Sequence, residues 1–140
     1  MPIYGISRQP GLAIAMCCAP LSLDRCAEVP SPEMIGQLVM IAALGKIVGC
    51  ARLTGIVTLK GERFLALEHR NAAAIRRSLE GKDDLFGAQL WVYEEGIVFD
   101  YAVAVEAGKS GSMWRVPDVL RVELEEARRL AAFRQGGDDP

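Results

Sequence analysis

The sequence has very little histidine: His69 is the only one. A metal centre built from imidazoles is therefore excluded, and the four cysteines (Cys17, Cys18, Cys26 and Cys50) offer CC and Cx7C spacings in place of the paired CxxC motifs that zinc requires. Ser/His/Asp and Cys/His catalytic sets cannot be assembled around one imidazole of unknown neighbours, so no enzyme and no cofactor are expected. Long apolar runs are also missing. The segment from Met34 to Cys50 is broken by Gln37 and Lys46 and falls short of the roughly 18 uncharged residues of a spanning helix. Nor is there an excess of positive charge: 16 Lys and Arg stand against 18 Asp and Glu, for a net charge of −2. That balance excludes histone-like proteins and polybasic membrane-surface binders. Internal repeats and low-complexity tracts are absent, and only the acidic tail 136–140 reads as disordered.

What is present is a core-forming composition. The chain has 140 residues, 51% of them hydrophobic and 24% charged, which suits one domain over residues 1–135. A mean hydropathy of +0.18 favours a homo-oligomer or a protein partner that covers part of the surface. The apolar stretch Gly11–Ala19 resembles a short signal-peptide core, but a single Arg8 precedes it, Pro10 and Gly11 interrupt it and no A-x-A site closes it. Met16 stands where a lipoprotein would need a small residue before Cys17. The expectation is a cytoplasmic protein with buried, reduced thiols and no membrane partner.

Hydropathy patterns and turn residues divide the chain into strands and helices. A first strand is expected over about Leu12–Cys17. Ser31, Pro32 and Glu33 form a helix-start signal, followed by Met34, Ile35, Leu38, Ile41 and Ala42 and closed by Gly45, which predicts an apolar helix over Pro32–Leu44. Period-two alternation marks a long strand over Lys46–Leu59, with Gly49 and Gly55 as bends. Lys60-Gly61 is read as a hairpin turn leading to a return strand over Glu62–His69, which sets Thr58 opposite Arg63 and Arg52 opposite His69. A helix over Ala72–Glu80, a second hairpin (Gly87–Tyr93 and Ile97–Glu106) and a final helix from Pro117 to about Phe133 complete the set. In that second hairpin, a three-residue turn would place Trp91 across from Phe99, with Trp91, Tyr93, Phe99 and Tyr101 on a core face and not on a base-stacking surface. The order predicts an α+β domain, a ferredoxin-like split βαββαβ with an added hairpin strand, with an OB-type barrel with extra helices as the alternative.

Charge is distributed unevenly along the chain. Residues 45–82 hold eight Lys and Arg against three Asp and Glu (+5), residues 83–140 hold six against twelve (−6), and residues 1–44 hold two against three (−1). The basic segment predicts a hairpin–helix face for the phosphates of a nucleic acid, contacted by Arg52, Lys60, Arg63, Arg70, Arg76 and Arg77. The contrasting expectation is a protein-interaction or assembly subunit that docks through the Pro32–Leu44 helix or the C-terminal helix. Gly108-Lys109-Ser110 resembles the end of a phosphate-binding loop, but Val103 occupies the position of its first glycine and no parallel sheet has room to follow. The carboxylate pairs Asp83-Asp84, Glu94-Glu95 and Glu125-Glu126 are read as ordinary surface acids.

Overall fold

The computed structural model describes residues 2–25, 32–58, 72–79, 89–106 and 113–135. In chain order these form β1 (Ile3–Ser7), α1 (Pro10–Cys18), β2 (Leu21–Arg25), a 3-10 turn (Pro32–Met34), β3 (Leu38–Ala43), β4 (Lys46–Thr58), α2 (Ala72–Leu79), β5 (Gln89–Ala104), β6 (Trp114–Val116), a second 3-10 turn (Asp118–Leu120) and α3 (Arg121–Gln135). The strands make one six-stranded mixed sheet in the order β2-β5-β4-β3-β1-β6, parallel only between β1 and β3. The α+β class is as the sequence predicts; this strand order is not that of the split βαββαβ. Among the described residues no helix is long and apolar enough to cross a membrane.

Three elements differ from the sequence reading, each for a physical reason. Residues Leu12–Cys17 are helical, not extended: α1 is apolar all round, so it carries no periodicity, and Pro10 starts it while Ala13, Met16 and Cys17 supply its buried side. The Pro32–Leu44 helix is absent. Its start signal makes only the 3-10 turn, Gly36 then takes a φ of +95°, and Leu38–Ala43 continues as a strand. A strand in the middle of a sheet buries both faces and reads as an unbroken apolar run, which sequence periodicity cannot separate from a helix. The second hairpin is one continuous strand, β5, paired along its length with β4. Trp91 therefore lies opposite Ile56 and Asp24, not Phe99.

At Glu94-Glu95-Gly96 β5 bulges instead of turning. Arg52 pairs with Glu94 and Cys50 with Ile97, leaving one extra residue on β5, and Glu95 takes a φ of +57°. An extra residue reverses the side-chain alternation, so the two halves of β5 face opposite sides. Before the bulge Trp91 and Tyr93 point to the inner face, packed with Ile6, Ile41, Leu53 and the α1 residues Ala13, Met16 and Cys17. After it Phe99 and Val103 point to the outer face, packed with Ile47, Cys50, Trp114 and Leu124, Ala127 and Ala131 of α3. At the other end of the outer face, Ile75 of α2 packs on Val57, Leu90 and Val92.

The bulge is also the seat of α1. A Cβ on Gly96 would lie 2.5 Å from the Cys17 carbonyl oxygen and 2.6 Å from that of Met16, and one on Gly49 would lie 2.5 Å from Cys17 Sγ. The Glu95 N–H donates to the Pro20 carbonyl at 3.2 Å, fastening the chain that leaves α1. Beyond α1 the sheet closes around it. In a flat sheet β1 and β2, four strand spacings apart, would be separated by about 19 Å. Yet Arg8, just past β1, donates from Nε (3.1 Å) and from its terminal nitrogen (2.5 Å) to Asp24 Oδ2 of β2. Those side chains cannot bridge a flat sheet, so the sheet must curl. Both are nearly buried, at 9% and 8% exposure.

Two stability predictions follow from these contacts. Gly96→Ala forces a methyl against α1 backbone and loses about 1–3 kcal/mol in urea unfolding. Gly11→Ala, where nothing lies within 4 Å, leaves stability unchanged or raises it by up to about 1 kcal/mol. Arg8→Met strands the Asp24 carboxylate and costs about 3–5 kcal/mol, whereas the pair Arg8→Met with Asp24→Leu recovers much of that loss in the same unfolding assay.

Candidate functional site

Of the basic residues singled out by the sequence, Arg52, Arg76 and Arg77 fall on described elements; Lys60, Arg63 and Arg70 lie outside the described residues, as do the Lys60-Gly61 turn, the Glu62–His69 strand, Cys26 and the tail 136–140. Arg52 is not opposite His69. Its strand neighbours are Leu38 on β3 and Glu94 on β5, so both edges of β4 are occupied there. Arg76 is placed on α2 by its backbone, and the Arg77 side chain on the same helix is exposed.

Arg52 occupies the outer face midway between α2 and α3. Its terminal nitrogen donates to the Gly36 carbonyl at 2.7 Å and its Nε lies 3.4 Å from Glu95 Oε2, which aims the guanidinium along the surface while leaving the side chain 31% exposed. Beside it the Thr54 hydroxyl donates to Glu94 Oε2 at 2.5 Å. Glu94 is buried, so this acid is a structural group and not the surface carboxylate that the Glu94-Glu95 pair suggested. Toward α3 the next outward residue of β4 is Cys50. Burial pushes its thiol up to about 11, while Arg128 (by charge and hydrogen bonding) and Arg52 (by charge) pull in the other direction. Arg128 and Arg52 therefore flank Cys50 from two different elements.

Arg128 sits two helical turns along from Arg121. Helix geometry puts Arg121, Leu124, Glu125 and Arg128 on the side of α3 that faces the sheet. Between these residues and Ile3, Leu38 and Met40 is a cavity of about 240 Å³. Leu38 is the strand partner of Arg52, so the cavity adjoins Arg52 directly. The outer face thus carries Arg52, Arg128 and Arg121 from β4 to α3, and α2, which packs on the same face through Ile75, bears the exposed Arg77. Sequence reasoning missed Arg121 and Arg128 because they belong to the acidic 83–140 segment, of whose acids Glu125 lines the same cavity while Glu126 pairs with Arg129 at 2.7 Å and Asp100 with Arg134 at 3.2 Å. Heptad-like spacing from Arg121 to Arg128 was the available signal.

Three of the four cysteines, Cys17, Cys18 and Cys50, fall among the described residues, and all three are free. Cys17 and Cys50 are buried free thiols, and no cluster of metal-ligating side chains occurs among the described residues. Cys18 is exposed, contrary to the expectation of burial, because it falls on the solvent side of α1.

No protein-family model matches the chain, and no curated protein matches it. Among solved structures it resembles ASCH from Zymomonas mobilis, at 15% identity and a TM-score of 0.55 over 89% of this chain and 94% of that one. A single-site variant of the same protein gives 16% identity and a TM-score of 0.54 over 90% and 98%. At this identity the likeness establishes a shared fold, that of a small α+β domain.

The thiols give a direct check. Alkylation of the folded protein at pH 8 followed by mass spectrometry labels Cys18 and spares Cys17 and Cys50, which react only after unfolding. Burial raises Cys17 to about 12 and Cys50 to about 11 from 9.0, so between pH 9 and those values the unfolded chain ionises thiols that the folded chain keeps protonated. Stability therefore falls as pH rises above 9.

Proposed function

We propose that this chain is a small non-catalytic binding domain of the cytoplasm that contacts nucleic acid through the arginine-bearing outer face between α2 and α3. The observation that supports it is that Arg52 of β4 and Arg128 of α3 flank Cys50 on the outer face, while Arg128 and the exposed Arg77 of α2 have no carboxylate partner among the described residues. A fold that needed these charges only for solubility would pair or disperse them. Phosphate recognition requires guanidinium donors and no particular base reader, and Arg52, Arg77 and Arg128 supply them.

The alternative of an assembly subunit loses one of its two surfaces, since Pro32–Leu44 holds the buried strand β3 and not an exposed helix. The other surface persists: Val119, Val122, Leu130 and Phe133 are exposed along one side of α3 and its lead-in turn, which favours contact with a partner chain there.

Binding of a short single-stranded RNA, followed by fluorescence anisotropy, is expected to weaken steeply between about 50 and 200 mM salt. Each of Arg52→Gln, Arg77→Gln and Arg128→Gln is expected to reduce the log–log salt slope by roughly 0.7. Binding that ignores salt, or that the triple variant retains in full while folded, would overturn the reading.

A further inference from the structure

Two large apolar side chains stand on the outside of α3. Val122 is 77% exposed and Phe133 62% exposed, while Leu124, Ala127 and Ala131 hold the other side of the helix to the sheet. Helix propensity does not account for them, because Val and Phe are weaker helix formers than the Arg, Glu and Ala that flank them in sequence. Single exposed apolar residues are ordinary. These two belong to a pattern. Val122, Glu126, Arg129 and Phe133 are spaced four, three and four residues apart, the spacing of a coiled-coil seam, and they fall within about 60° of one another around the helix. Glu126 and Arg129 lie exposed between the two apolar ends and are joined by two hydrogen bonds, at 2.7 and 3.1 Å.

The stripe reads apolar, acid, base, apolar, and reversing it leaves it complementary to itself. Val122 and Phe133 are equally far from the point between Ala127 and Arg128, and so are Glu126 and Arg129. A second α3 laid antiparallel about a two-fold axis at that point therefore sets Val122 against the partner's Phe133 and Glu126 against the partner's Arg129 at once. A parallel copy would set Glu126 on Glu126 and Arg129 on Arg129, which like-charge repulsion opposes. In the antiparallel pair each guanidinium meets a second carboxylate, and no charge is stranded, because the ion pair is already closed within each chain. The fifteen residues of α3 give a helix about 22 Å long and about 10 Å across, well under the roughly 800 Å² per partner of a standard interface, so the association is weak and reversible.

We propose that α3 forms a homodimer contact in which two copies of this chain pack antiparallel through Val122, Glu126, Arg129 and Phe133. Such a dimer uses the solvent side of α3 alone and forms whether or not the outer face binds nucleic acid.

Sedimentation velocity of the full chain without nucleic acid, from about 5 to 500 μM, is expected to show a monomer–dimer equilibrium with a Kd on the order of 10–100 μM. Phe133→Asp is expected to weaken it about tenfold or more. Glu126→Arg, which gathers four cations at the axis, is expected to do the same, and adding Arg129→Glu to that chain is expected to restore the wild-type value, since exchanging both charges keeps the stripe self-complementary. All three positions are exposed, so the circular dichroism of the variants is expected to match that of the wild type. Orientation is read by disulfide trapping in a chain carrying Cys18→Ser and Cys26→Ser: a mixture of Val122→Cys and Phe133→Cys chains is expected to cross-link into heterodimers, and neither chain alone into homodimers. A monomer over the whole concentration range, or a dimer indifferent to both Phe133→Asp and Glu126→Arg, would overturn the proposal. Homodimers trapped from Val122→Cys alone would overturn it as well, because they mark parallel copies.

Discussion

One extra residue in β5 organises this molecule. Because the bulge at Glu95 inverts the alternation of the strand, a single strand of sixteen residues builds the inner core with Trp91 and Tyr93 and the outer core with Phe99 and Val103. The same point receives α1 on Gly96, holds Pro20 through the Glu95 N–H, and gives Arg52 its carboxylate partner. Without the inversion, Trp91 and Phe99 would compete for one face and α1 would meet side chains where it now meets glycine. The curl that lets Arg8 reach Asp24 continues the same logic, since local bulges increase twist and a strongly twisted sheet wraps around whatever it packs against.

How much of this was legible in the sequence depended on whether an element has one wet face. α2 and α3 each have a polar exposed face, and their spacing located them: α2 ends one residue before the expected Glu80, and α3 ends two residues past Phe133, the expected start at Pro117 lying just ahead of the 3-10 turn that precedes Arg121. α1 and β3 have no polar face. One is apolar on all sides and the other is buried on both, and an unbroken apolar run states burial without stating period. The β5 bulge was hidden for a different reason: Glu94-Glu95-Gly96 satisfies the chemistry of a three-residue hairpin loop and of a bulge equally well, and only the pairing of both halves with β4 decides between them. Gly49 was legible as a bend, and its close approach to Cys17 accounts for the missing side chain.

The outer face shows the same division. Segment charge sums pointed to Arg52 and to α2, because basic residues dominate residues 45–82. They could not point to Arg121 and Arg128, whose neighbours in sequence are acidic. A helix sorts its charges by angle, so Glu126 and Arg129 face solvent together while Arg121 and Arg128 turn to the sheet. Net charge over a window averages precisely the information that distinguishes these two sides.

The central claim is that nucleic acid lies along the outer face from α2 across Arg52 to α3. Backbone amide chemical shifts recorded while a short single-stranded RNA is added at low salt test it most directly. The account predicts that shifts concentrate in α2, in β4 around Cys50–Thr54 and in the first two turns of α3, with α1 and β2 on the opposite side unchanged. Shifts confined to α1 and β2, or to the Val122–Phe133 side of α3, would contradict it.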